Sequence, residues 1–245
     1  MDVSIPWLRA VLGALPAACL ALCSGVVRAH DLITAEAADR YVAQARAWVA
    51  VAAAKEPPAA RADASVSLAR MLDEIRDLLN RDIATHGRVQ GLPSHLLIER
   101  LKEAGSPLGW AERLGRYGAP VQWYRTGLDL DPRGRRAGEA LFGWLSGSFY
   151  DGFRDDPLKP LAPDTAGLLP LIEAGERYAR EFPRDANLEE GRFITAILRV
   201  RAARAGLPER KVHGARAREL LRDFQRDYPD SLRSAAVPVL LDALP

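Results

Sequence analysis

Histidines, carboxylates and a dense run of aromatic side chains are the groups here with the chemistry to bind or transform another molecule. The four histidines stand at 30, 86, 95 and 213. A hydrolytic zinc site wants two imidazoles one helical turn apart, as in H-E-x-x-H, and no such spacing occurs. His86 and His95 fall near expected helix ends. His30 could chelate Cu(II) through its amine and imidazole if it became an N-terminus, but such a site needs a second histidine. Carboxylates gather at Asp129 and Asp131, at Asp151, Asp155 and Asp156, and at Glu189 and Glu190. A calcium loop needs alternating oxygen ligands, a central glycine and a closing glutamate, and Asp129-Leu130-Asp131-Pro132 supplies only the opening. Glycoside hydrolysis needs two carboxylates flanking one bond, and nothing singles out a pair. Arg133-Gly134-Arg135-Arg136 reads as a solvated basic turn, with an anion contact as the alternative. No nucleophile elbow, phosphate loop or dinucleotide fingerprint is present. No catalytic, metal-ligating or cofactor-binding residue is therefore expected. The acids read as helix caps and solvated turns.

The aromatics are unevenly placed: more than half of those beyond position 30 fall between Trp110 and Phe153. One reading is a concave pocket for a glycan, a peptide or an apolar ligand, lined by Trp110, Trp123, Tyr124, Trp144 and Tyr150. The other is that short glycine-rich helices need large side chains to fill a core, and the composition favours it. A carbohydrate-active or hydrolytic site in 110–153 is the alternative to pure binding. Such a site would bury two carboxylates, or a histidine and an acid, in one cleft there.

The compartment follows from the first thirty residues. Arg9 precedes an apolar run from Ala10 to about Val27, and Val27-Arg28-Ala29 ends it with small residues at −3 and −1. A basic residue, an apolar stretch and a small-residue exit make a secretory signal, so residues 1–29 are expected to be removed, leaving a periplasmic or secreted chain from His30. An uncleaved anchor is one alternative, because the run is about as long as the shortest membrane spans of ~17 residues. Lipidation at Cys19 or Cys23 is the other. Both cysteines lie in the signal, so the mature chain would contain none and would be held together by its core alone. A formal net charge of +2 argues against a nucleic-acid binder, which would carry a concentrated basic excess.

The elements that must position any site are helical throughout. Thr34 caps a helix to about Ala54, with Tyr41, Ala45, Trp48 and Ala52 on one face, and Pro57-Pro58 stops it. Asp63 or Ser65 starts the next, whose stripe Leu68, Met71, Leu72, Ile75, Leu78, Leu79, Ile83 runs to Gly87. Ser94 caps a helix to Ala104. Ser106-Pro107 opens another to Tyr117. Pro120–Leu130 reads as a short helix or an ordered loop, and Arg133–Phe153 as a helix weakened by four glycines. The proline-rich stretch Asp155–Pro163 divides an N-terminal region (30–160) from a C-terminal one (161–245). The latter reads as helices from Asp164 or Thr165 to Phe182, Asn187 to Arg204, about Glu209 to Tyr228, and Ser231 to Leu244, with Gly206-Leu207-Pro208 as a break.

The C-terminal region repeats itself. Tyr178-Ala179-Arg180-Glu181-Phe182-Pro183 matches Phe224-Gln225-Arg226-Asp227-Tyr228-Pro229, forty-six residues on. One aromatic packs a turn before the helix end, the next closes the last turn, and proline forbids continuation. With Ala217, Leu221, Ser231 and Ala235, the second copy resembles the helix–Pro–helix junction of tetratricopeptide repeats in bacterial cell-envelope proteins. The resemblance covers about residues 171–244. It departs from the family in its forty-six-residue spacing and in Gly175, where a large packing residue is the rule. It implies an all-α fold of antiparallel helical hairpins whose stacked faces form a groove. A non-catalytic binding or scaffold protein of the envelope is the function implied. Its partner would be an envelope protein or an extended peptide from one, engaged by protein–protein interaction, with no nucleic acid and no membrane insertion after signal cleavage.

Overall fold

The computed structural model describes residues 33–153, 167–205, 207 and 209–245. The signal with its two cysteines, His30, the stretch Asp155–Pro163, the helix start at Asp164 or Thr165, and Gly206 and Pro208 lie outside the described residues. The described chain is all-α: nine α-helices with two strands of two residues each. It forms two compact units, divided between Asp151 and Gly152.

In the first unit, α1 (Ala35–Ala53) begins where Thr34 Oγ1 accepts from the Ala37 amide at 3.1 Å. Its inner face is Ala38, Val42 and Ala45, with Tyr41 and Trp48 half-buried beside them. A short link carries the chain into α2 (Pro58–His86), and Arg61 Nε donates back to the Ala52 carbonyl at 2.9 Å. The second helix starts several residues before Asp63, because proline at its first position brings a helical φ and loses no hydrogen bond. Its apolar stripe holds: Leu68, Met71, Leu72, Ile75 and Leu79 are all buried. Gly87 closes it at φ 74°, its amide bonded to the Ile83 carbonyl at 2.7 Å. The third helix, α3 (Leu92–Glu103), opens at Gly91 without a side-chain cap, and Ser94 lies buried inside its first turn.

The helix expected over Ser106–Tyr117 does not form. Instead β1 (Trp110–Ala111) pairs antiparallel with β2 (Arg116–Tyr117) around a 3₁₀ turn, Glu112–Leu114. Two tertiary contacts override the helical pattern. Trp110 and Tyr117 face each other across the ladder, rings edge to face at 5.1 Å. Asn80 of α2 brackets Tyr117 with its amide, donating to the carbonyl and accepting from the N–H, both at 2.8 Å. Helices α4 (Val121–Leu130) and α5 (Ala137–Ser148) complete the unit, α4 packed between α2 and α5. The fifth helix runs into a π turn, Phe149–Phe153. Asp151 ties that turn down: its carboxylate accepts from the Ala119 amide and meets Arg116 at 3.5 Å, while Arg113 donates to its carbonyl at 2.9 Å.

In the second unit, α6 (Leu168–Glu181), α7 (Leu188–Arg204) and α8 (Arg210–Asp227) pack in succession, α7 against both neighbours. A 3₁₀ turn (Leu232–Ala236) and α9 (Val237–Asp242) follow, so the last expected helix is divided just before Pro238. The ends of α6 and α8 have one geometry. Phe182 has φ −125° and ψ 55°, and Tyr228 has φ −132° and ψ 57°. Each donates its amide to the aromatic residue a turn earlier at 2.9 Å. Tyr178 and Phe224 are both fully buried, with Phe182 and Tyr228 stacked on them at 5.9 and 5.0 Å. Burial recurs at the same interval on both sides of the junction, pairing Leu171 with Ala217, Ile194 with Leu240 and Leu198 with Leu244.

Candidate functional site

The five aromatics singled out in the sequence differ in burial and in partners. Tyr124 is buried, its hydroxyl donating to Asp73 Oδ2 at 2.6 Å, and Arg76 approaches the other carboxylate oxygen at 2.5 Å. Burial pushes the Asp73 carboxyl above its ordinary range, against the pull of Arg76 and of the tyrosine hydrogen bond. Burial, then the Asp73 charge, drives the Tyr124 phenol far up. Trp123 is half-buried against the core shared by α1, α2 and α3, its indole N–H without a hydrogen bond. Trp144 is half-buried beneath the Arg125 guanidinium, 5.5 Å from the ring centre. Tyr150 sits edge-on to Phe149 at 5.3 Å. These four hold the first unit together.

Trp110 lines a cleft. The cleft measures about 810 Å³ and is open to solvent, between the end of α2, the segment Arg88–Leu92 and the β1–β2 hairpin. Ile83 and Val89 contribute its apolar surface from the core side, with Trp110, Tyr117 and Leu92 around them. Gly87, Gly91 and Gly115 border it at φ 74°, 78° and 60°. These left-handed conformations suit glycine, so the main chain there is bare. Apolar exposure is high: Leu92 is 70% exposed, Leu96 48% and Trp110 45%. Among the described residues, the ionisable side chains of its lining are Arg88, His95 and the Tyr117 phenol, the last pushed up by burial. No carboxylate lines it. A catalytic pair of acids, or an acid with a histidine, is therefore not assembled in this cleft.

The second unit carries a groove of about 410 Å³ with a different lining. Helices α6 and α8 supply Glu176, Ala179, Arg180, Arg216, Leu220 and Asp223, and α7 supplies Arg192 and Thr195 between them. Its charges are matched: Arg216 meets Glu176 at 3.4 Å, Arg192 meets Asp227 at 2.8 Å, and Arg226 meets Asp223 at 2.8 Å. Among the described residues no group of three histidine, cysteine or acidic side chains could hold a metal ion.

Comparison with protein families, with curated proteins and with solved structures finds no match to this chain.

Of the cleft the sequence named Trp110 alone, and of the groove it implied the stacked hairpins without the lining residues. The cleft's signal was Gly87 and Gly91 bracketing Arg88-Val89-Gln90, which reads as a helix end and a linker. The groove's signal was the repeat itself, since forty-six-residue equivalence places Arg180 with Arg226. Glu189 and Glu190 of the acidic clusters turn out to be tethers, bonded to Arg233 at 3.0 and 3.1 Å. Arg136 of the basic turn likewise bonds Glu139 at 2.9 Å and the Asp63 carbonyl at 3.0 Å.

Proposed function

We propose that this is an exported polypeptide-binding protein of the bacterial cell envelope that performs no chemistry. It would hold an extended segment of a partner protein in the groove between α6 and α8. The observation that carries this reading is the repetition of the α6 and α8 ends. Matching end geometry and matching burial let the two helices present equivalent faces to one groove, which is how tetratricopeptide-like hairpins bind. The lining fits an extended chain. Guanidinium groups alternate with carboxylates, so a backbone laid along them finds donors for its carbonyls and acceptors for its amides. A nearly neutral balance of charge suits a polypeptide better than a nucleic acid. Export rests on residues 1–29, and an intact mass starting at His30 would support it, whereas a start at Met1 or a lipid adduct would refute it.

Site-specific photo-cross-linking tests the binding reading. A benzoylphenylalanine at Leu220, inside the groove, should give discrete protein adducts in the producing cell. The same group at Gln225, on the exposed side of α8, should give none. Arg216→Glu should abolish the Leu220 adducts by setting a second carboxylate against that of Glu176. Equal labelling at both positions, or labelling that ignores Arg216→Glu, would overturn the proposal.

A further inference from the structure

We propose a second binding site, independent of the groove: the cleft beside Trp110 takes a polypeptide segment in which an apolar side chain stands next to a carboxylate. Three observations meet there. The cleft's walls are apolar and open, with Trp110 and Leu92 exposed together on its lining and Leu96 exposed one turn beyond Leu92. Its formal charge is of one sign only. Arg88 is exposed and makes no ion pair or side-chain hydrogen bond among the described residues, in a protein where most cleft and groove arginines are matched. His95 stands on the same rim, and the lining contains no acid. Finally, the first turn of α3, which contributes Leu92 and His95, has no side-chain cap, so its free amides add a partial positive charge at this end of the cleft.

Charge complementarity therefore calls for a carboxylate at the rim, and the apolar walls call for a side chain that buries against Trp110 and Leu92. A free fatty acid has both features, but two points favour a polypeptide. An alkyl chain is held best in an enclosed tunnel, and this cleft is open. The apolar surface also runs on past the cleft to Leu96, one helical turn beyond Leu92, where a small ligand would leave it wet. A partner segment covers both, with aromatic or aliphatic anchors in the cleft and its acid paired to Arg88.

The test uses the purified full chain, labelled with ¹⁵N, and synthetic decapeptides of Gly and Ser carrying a central Phe-Glu, Phe-Gln or Phe-Lys pair. Sodium decanoate is the small-amphiphile control. The Phe-Glu peptide should shift the amides from Gly87 to Leu92 and the Trp110 indole, leaving Ala179 and Leu220 in the groove unmoved. Its affinity should exceed that of Phe-Lys, and Arg88→Gln should weaken it about three- to tenfold. Leu92→Ser, at an exposed position, should weaken all three peptides alike. Equal binding of Phe-Glu and Phe-Lys, indifference to Arg88→Gln, or shifts confined to the groove would overturn the proposal. So would binding of decanoate alone, or concentration-dependent self-association that Leu92→Ser abolishes, which would assign the cleft to a second copy. Because groove and cleft report through different amides, either reading can fail without the other.

Discussion

Gly175 of α6 packs on Thr195 of α7 so closely that a Cβ built on the glycine would overlap Thr195 Oγ1 and stand 3.0 Å from its Cβ and 3.2 Å from its Cγ2. The threonine cannot turn away cheaply, since its hydroxyl donates to the Gly191 carbonyl at 2.7 Å in a buried site. Forty-six residues on, the equivalent position is Leu221, fully buried. The two copies thus fill the same place in opposite ways, one by side chain and one by close approach of helices.

Two effects of opposite sign compete at Gly175. Alanine in a helix interior gains roughly 1 kcal/mol over glycine, while overpacking a dense core costs about 1–3 kcal/mol. The overlap is with a hydrogen-bonded side chain, so the cost should win. Gly175→Ala is expected to lower stability in urea denaturation, and Thr195→Ala in the same chain should restore part of the loss by removing Oγ1 and Cγ2. A stabilised Gly175→Ala would mean that α6 and α7 stand further apart than described.

Phe224 tests the junction itself. It is buried between Phe193 at 5.1 Å and Tyr228 at 5.0 Å, and truncation should cost about 3–5 kcal/mol through lost burial and the cavity left behind. Arg226, two residues on, is exposed and paired with the neighbouring acids Asp223 and Asp227 of its own helix, so Arg226→Ala should leave the thermal midpoint nearly unchanged. Similar small shifts for both variants would contradict the burial of Phe224.

The contrast between these residues and the Trp110 cleft shows what a sequence exposes. Leu68, Leu72, Ile75 and Leu79 were legible because a buried helix face repeats every three to four residues. Tyr178 and Phe224 were legible because an aromatic followed by a proline-stopped helix end leaves the same trace twice. Trp110 and Tyr117 were read as helical because their pairing depends on Asn80, thirty-seven residues from Tyr117, and distant brackets leave no local period. The burial of Tyr124 was illegible for a similar reason: its partner Asp73 lies on another helix. The cleft was illegible because it is bounded by helix ends and loop glycines, whose signal is a break in pattern.

Tyr124 and Asp73 form a buried pair whose loss should be measurable. Tyr124→Phe keeps the ring and removes the only hydrogen bond that Asp73 Oδ2 makes among the described residues, leaving that oxygen desolvated without a donor. An unsatisfied buried acceptor costs roughly 1–3 kcal/mol. Because the bond favours the charged carboxylate, the penalty should shrink as falling pH protonates Asp73. A pH-independent penalty in denaturant titrations would show that the hydroxyl bonds something else.

His213 should make the second unit acid-sensitive. The ring is buried on α8, with Nδ1 2.7 Å from Arg199 Nη1 of α7. A guanidinium can only donate, so Nδ1 must offer its lone pair and the imidazole must be neutral, its proton on Nε2. Arg199 also donates to Glu176 Oε1 of α6 at 2.9 and 3.2 Å, which holds it in place. Glu176 and Glu209 both favour protonating the ring, but burial and the Arg199 charge outweigh them and lower its pKa below the ordinary histidine value. The sign follows. Above about pH 6.5 neither folded nor unfolded histidine binds a proton, and the stabilisation is fully present. As pH falls below that value the unfolded chain takes up a proton that the folded chain refuses, and stability drops until the lowered folded pKa is passed, by at most about 1.4 kcal/mol per pH unit. Chemical denaturation between pH 7 and pH 5.5 should show this fall. In His213→Gln, whose side-chain oxygen can still accept from Arg199, the contribution should vanish and the profile flatten. An unchanged slope in that variant would mean that His213 takes a proton as readily folded as unfolded, and that Arg199 does not depend on its lone pair.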